Sequence, residues 1–203
     1  MSRSARHNQA GYTLIELMIG MAVGLIVLSG ALFLYLQIFN VSKTTLASTQ
    51  LNRELSILLD TMSGEIRRHG YSASSTGGPY QASSSAGLSV SGSCILYGYD
   101  VDADGSQDDN EYRGFMLNAG KILIAQTASA TCASPTNWSD LTSLDAVFVS
   151  ALSFMLNIDS ANTGNTTSYT RTVDISISAS DPDGLVSSSK NVTVLIPNNV
   201  VAN

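Results

Sequence analysis

The sequence predicts an α+β protein: one long N-terminal α-helix, its first half membrane-spanning, packed on an antiparallel β-sheet head. Three observations predict it. Residues Leu17 to Leu36 form an uncharged apolar run of 20 residues, long enough to cross a bilayer as a helix. Beyond it, Leu51, Leu55, Leu58, Met62 and Ile66 recur at three- and four-residue steps, with Arg53, Glu54, Asp60, Glu65 and Arg67 between them, so one apolar stripe runs along a polar helix. From Cys94 onward, short strand-like runs are separated by turn residues.

In chain order, residues 1–10 are polar and basic, with Arg3 and Arg6 and no acid, which keeps the amino end in the cytoplasm while the carboxyl end crosses. Gly11 follows, and Tyr12-Thr13-Leu14-Ile15-Glu16-Leu17-Met18 leads into the apolar run. Glu16 is the odd residue there. A carboxylate at the mouth of a membrane helix either sits in water at headgroup depth or neutralises a positive charge. A cut before Tyr12 would supply that charge as a new α-amino group, able to pair with Glu16 of a neighbouring copy in an apolar bundle. Gly20-x-x-x-Gly24 either permits close helix approach or reflects the frequency of glycine in membrane helices. Past Phe39 no proline and only Gly64 intervene before Gly70, so a single helix is expected from about Tyr12 to His69. Arg67-Arg68-His69-Gly70 suits a last turn and C-cap, with His69 read as a solvated helix-end residue.

Residues 72–93 are rich in Ser, Gly and Ala and read as a loop or weak edge strand. Strands are expected over 94–99, 112–117, 121–126, 146–158, 169–179 and 190–196. Thr172 to Ser178 alternates cleanly, as a half-buried strand does. Asn118-Ala119-Gly120 and Asp181-Pro182-Asp183-Gly184 carry turn chemistry.

The string Gly11-Tyr12-Thr13-Leu14-Ile15-Glu16-Leu17, running into an uncharged helix, resembles the signal of prepilins and pseudopilins. The resemblance implies cleavage after Gly11 by a prepilin peptidase, N-methylation of Tyr12, and a role for Glu16 in assembly. Tyr12 stands where the family usually has Phe, and the helix lacks the proline many major pilins carry. In the head, Leu59-Asp60, Glu65-Ile66-Arg67-Arg68-x-Gly70-Tyr71, the strand from Cys94 to Asp100, Tyr112-x-Gly114-Phe115 and Trp138-x-x-Leu141-Thr142 leading to Leu152-Ser153-Phe154 resemble minor pilins of the PilW type and the related J-type pseudopilins. The implied layout is pilin-like: a leader over 1–11, the transmembrane half of the helix over 12–39, its amphipathic half over 40–71, and a β-rich head over 72–203. An ordinary secretory signal could use Ser29-Gly30-Ala31 as its cut site, but the apolar run continues past it to Leu36. An uncleaved anchor explains the helix but neither Gly11 beside an aromatic nor Glu16.

The net charge of -6 is uneven. Of 16 acidic residues, six lie in the twelve-residue segment from Asp100 to Glu111, and the other 10 balance the 10 basic ones. There is no basic patch, so the head is not expected to bind nucleic acid. Asp100-x-Asp102-x-Asp104-Gly105-x5-Glu111 fits a calcium-loop pattern, with Ser106 and Asp108 at the intervening ligand positions. Its flanks read as strands rather than helices, and a solvated acidic hairpin tip is the other reading. Bound Ca2+ here would be structural. Cys94 and Cys132 do not form a CxxC, and in an oxidising compartment a disulfide is the default, with two separate buried thiols as the alternative. No nucleophile–base pair, HExxH or glycine-rich phosphate loop occurs, so catalysis is not expected.

The resemblance implies a minor type IV pilin. Its partners would be the prepilin peptidase, other major and minor pilins, the inner-membrane assembly platform and inner-membrane lipid. It would sit in the inner membrane with a periplasmic head before joining a pilus at the cell surface. A minor pseudopilin of a type II secretion system shares the signal. A calcium-dependent adhesin on a plain membrane anchor is the alternative of another class, and it requires no cut at Gly11.

Overall fold

The computed structural model describes residues 11–73, 87–163, 166–197 and 201–202. The basic residues of the leader and residues 74–86 of the expected loop lie outside them. The chain divides into two compact units, residues 1–45 and 46–203.

Helix α1 runs unbroken over Leu14–Arg67. Within the first unit every described side chain from Gly11 to Phe39 is exposed. The apolar run is therefore uncovered among the described residues and calls for lipid or other apolar helices. The Ser29 hydroxyl in this run is satisfied internally: its Oγ donates to the Ile26 carbonyl at 2.8 Å, as a lipid-facing helix requires.

In the second unit α1 buries Leu51, Leu55, Leu58, Leu59, Met62 and Ile66. These are the predicted stripe with Leu59 added, so the buried face is wider than a single row. The helix stops where Gly70 takes φ 80°, a left-handed conformation suited to glycine, and Gly70 N donates to the Gly98 carbonyl at 3.1 Å.

The strands divide between two antiparallel sheets rather than one. The first holds β1 (Ser89–Ser91), β2 (Cys94–Gly98), β3 (Tyr112–Asn118), β4 (Lys121–Ala125) and β5 (Ser139–Asp140) in sequential order. The second holds β6 (Phe148–Thr163), β7 (Thr166–Ser180) and β8 (Ser187–Ile196), with β9 (Val201–Ala202) also pairing with β7. Strand length separates them: β6 and β7 have 16 and 15 residues and pair with each other, while no strand of the first sheet exceeds 7. The predicted runs all appear; β1 realises the weak edge strand, and β5 and β9 are too short to be read from a pattern.

Two turn glycines join the sheets. Ala119 and Gly120 both have positive φ, 49° and 81°, in the tight turn between β3 and β4. The Gly120 carbonyl accepts from Val149 N at 2.9 Å, and the Gly92 carbonyl accepts from Phe154 N at 2.9 Å. Turns of the first sheet thus cap free N–H groups along the edge strand β6 and protect that edge. A Cβ at Gly120 would lie 2.4 Å from the Phe148 ring.

Both sheets and α1 share one core. Leu55, Met62 and Ile66 cluster with Ile95 and Phe115 of the first sheet and with Val173, Ile175 and Val194 of the second. The alternation in β7 is realised, with Val173, Ile175, Ile177 and Ala179 buried. Arg171 falls on the same inward register and is fully buried.

Cys94 and Cys132 form a disulfide with Cα atoms 5.7 Å apart, spanning 38 residues. Buried Cys94 packs with Met116 and Leu123, and half-buried Trp138 closes over this cluster. Trp138 fits because Gly114 has no side chain: a Cβ there would be 2.9 Å from the indole and 2.8 Å from the Ile95 carbonyl. Loop-closure entropy for this span is worth about 4 kcal/mol. Cys132→Ser in the full chain should therefore lower the urea midpoint by that order of free energy; an unchanged midpoint would show that the bridge adds no stability.

Candidate functional site

The predicted site residues lie in two regions, the amino end of α1 and the acidic segment between β2 and β3. At the amino end, Gly11 and Tyr12 precede α1, and the helix opens with the Thr13 carbonyl accepting from Glu16 N at 3.1 Å and Leu17 N at 3.2 Å. Glu16 lies in the first turn, where a carboxylate complements the positive end of the helix dipole. Tyr12, Glu16, Leu17, Gly20 and Met21 border one shallow groove, so residues one helical turn apart share a face. Tyr12 is 85 % exposed, and nothing lies within 4 Å of a Cβ built on Gly11, Gly20 or Gly24. This end can present a backbone segment to another protein, and a carboxylate set among apolar side chains to another helix.

The acidic segment links β2 to β3. Asp100, Asp102 and Asp104 each bring one carboxylate oxygen within 4.8 Å of the others. Asp100 is buried, while Asp102 and Asp104 are exposed. Asp100 Oδ2 accepts from Ala73 N at 2.9 Å and Gly105 N at 3.0 Å. These backbone donors, Ala73 first, hold its carboxyl below the usual carboxylate range, against the opposing effect of burial. Asp102 Oδ1 accepts from Asp104 N, and Asp104 Oδ1 from Ser106 N at 2.7 Å. Asp108 is pushed up, by Asp104 first and then by burial, Asp102 and Glu111, which places its carboxyl in the same negative field.

Glu111 is not grouped with the three aspartates. It is buried, and its Oε1 and Oε2 accept from Val101 N at 2.7 Å and Asp108 N at 2.9 Å. It ties the two ends of the loop together. The 3-10 turn Asp109–Glu111 turns the chain into β3 before the final position of the pattern can swing inward, which follows from strands rather than helices flanking the loop.

His69 is a correction. It is fully buried rather than solvated, because Gly70 folds the helix end back against β2. Arg171 Nη1 lies 3.4 Å from Nε2, which must then accept, so Nδ1 carries the proton and donates to the Gly98 carbonyl at 3.0 Å. Close by, Tyr99 donates to Glu65 Oε2 at 2.8 Å and accepts from Arg68 Nη1 at 3.2 Å. The helix end is thus cross-linked to β2 by polar groups. For Arg171 a signal existed: it falls two residues before Val173 on the inward register of a clean alternation.

Residues 44–196 match the model of the family described as prepilin peptidase-dependent protein B. Residues 6–32 match the prokaryotic N-terminal methylation motif, which spans Gly11, Tyr12 and Glu16. No curated protein and no solved structure matches the chain.

Proposed function

Because the chain belongs to the prepilin peptidase-dependent protein B family, we propose that it is a minor type IV pilin: a structural subunit, not an enzyme, that helps initiate and assemble pilus filaments. It is a membrane-anchored, pilin-like protein carrying a methylation motif. In this reading the prepilin peptidase cuts after Gly11, Tyr12 is methylated, and the head faces the periplasm until the inner-membrane assembly platform moves the subunit into a filament beside other pilins.

The observation that carries the reading is the pairing of that motif with a helix whose apolar residues are exposed among the described residues. Such a surface is stable in lipid and equally stable in a bundle of like helices. A filament built on those spines uses both environments in turn. A secretory signal would discard this helix, and a plain anchor would need neither Gly11 nor Glu16.

The test is fractionation. Sheared surface filaments from the native host should contain the chain, and its deletion should reduce piliation while leaving type II secretion intact. Normal piliation together with lost exoprotein secretion would favour the pseudopilin assignment instead.

A further inference from the structure

We propose that Asp100, Asp102 and Asp104 seat a calcium ion that fastens the β2–β3 connection to the chain leaving α1. The starting observation is a single atom. Asp100 is 2 % exposed, and its Oδ1 is buried with no hydrogen-bond partner among the described residues, while Oδ2 already serves Ala73 N and Gly105 N. A buried carboxylate oxygen without a donor is costly and calls for a bound water or ion.

Charge decides between the two. The Asp100, Asp102 and Asp104 carboxylates converge within 4.8 Å. The ion pairs Arg68–Glu65 and Lys121–Asp140 lie outside this loop, and Arg113 donates to the Asn110 carbonyl at its far end. A cation offsets the repulsion of three converging carboxylates, whereas water only screens it, so the cluster favours a cation. The oxygens are also divided in a way that suits one. Each aspartate gives one oxygen to a backbone N–H of the loop: Asp100 Oδ2 accepts from Gly105 N, Asp102 Oδ1 from Asp104 N and Asp104 Oδ1 from Ser106 N. The carboxylates are therefore oriented before any ion arrives.

All-oxygen ligands select a hard cation, and calcium accepts six to eight oxygens in flexible geometry. Three carboxylates leave positions for the Ser106 carbonyl, the Asp108 carboxylate and water. Glu111 is excluded, since both its oxygens hold loop amides. The seat has a structural consequence. Asp100 N donates to the Tyr71 carbonyl at 2.9 Å, and Ala73 N donates to Asp100 Oδ2. Fixing Asp100 fixes the residues that follow the helix.

The experiment uses the full mature chain in detergent micelles, stripped with a chelator. Calcium titrated by calorimetry should bind at a single site, and saturating calcium should raise the thermal midpoint by about 5 °C. Asp102→Asn, at an exposed position, should keep the calcium-free midpoint and weaken calcium binding at least about tenfold. No heat and no midpoint shift at millimolar calcium would overturn the proposal. So would wild-type affinity in Asp102→Asn, or an equal response to magnesium, which demands a tighter octahedral shell.

Discussion

Glu16→Ala should leave the chain cleaved and methylated yet reduce its incorporation into filaments by more than about 100-fold. Tyr12 and Glu16 border the same groove, one helical turn apart, at the head of an apolar helix. Cleavage before Tyr12 creates an amine at that position. When apolar helices bundle, the amine of one subunit and the Glu16 carboxylate of its neighbour leave water together. Removing one partner strands the other charge, which costs about 3–5 kcal/mol, or roughly two to three and a half decades in association. Side-chain packing alone cannot produce this, because Glu16→Gln keeps the shape and should fail nearly as badly. Immunoblots of sheared filaments against membranes read the outcome directly; equal filament signals for wild type and Glu16→Ala would remove the pairing from the account.

Gly11→Val should abolish processing, so that only the precursor accumulates in the membrane. The substitution does not strain the chain itself, since nothing lies within 4 Å of a Cβ at this position and α1 starts three residues later, at Leu14. A lost cut would therefore report on recognition of the scissile peptide by the peptidase, not on misfolding. If Glu16 pairs with the new amine, the unprocessed chain, which keeps its basic leader and lacks that amine, should be absent from filaments as well. Gel mobility separates the two forms; a mature-sized Gly11→Val chain would show that the cut lies elsewhere.

Much of this was legible in the sequence because the signals are long or repeated. The apolar run and the stripe from Leu51 to Ile66 fix α1 to within two residues at each end, because a helix period sustained over many turns has few alternatives. The alternation in β7 fixes its buried face for the same reason. What escaped depends on contacts distant in sequence. Two sheets rather than one follow from the matched lengths of β6 and β7 and from glycine turns that dock on β6, and neither feature has a local pattern. His69 looked solvated because basic residues usually end a helix in water; its burial arises only when Gly70 reaches Gly98. The acidic motif named three aspartates whose carboxylates the fold does bring together. It could not reveal that Asp100 is buried beneath the loop or that Glu111 faces backbone amides, because the pattern was framed for helical flanks and this loop bridges two strands. Gly114 and Trp138 stood in separate strings of the family resemblance, and the fold brings them into contact.

The central claim is that a cytoplasmic-side trim converts this chain into a subunit with a methylated aromatic at its start. Intact-mass and N-terminal peptide analysis of the protein purified from its native membrane tests it most directly. The account predicts a chain that begins at Tyr12 and carries one added methyl group on its amine. A chain that still begins at Met1, or one cut after Ala31, would contradict it.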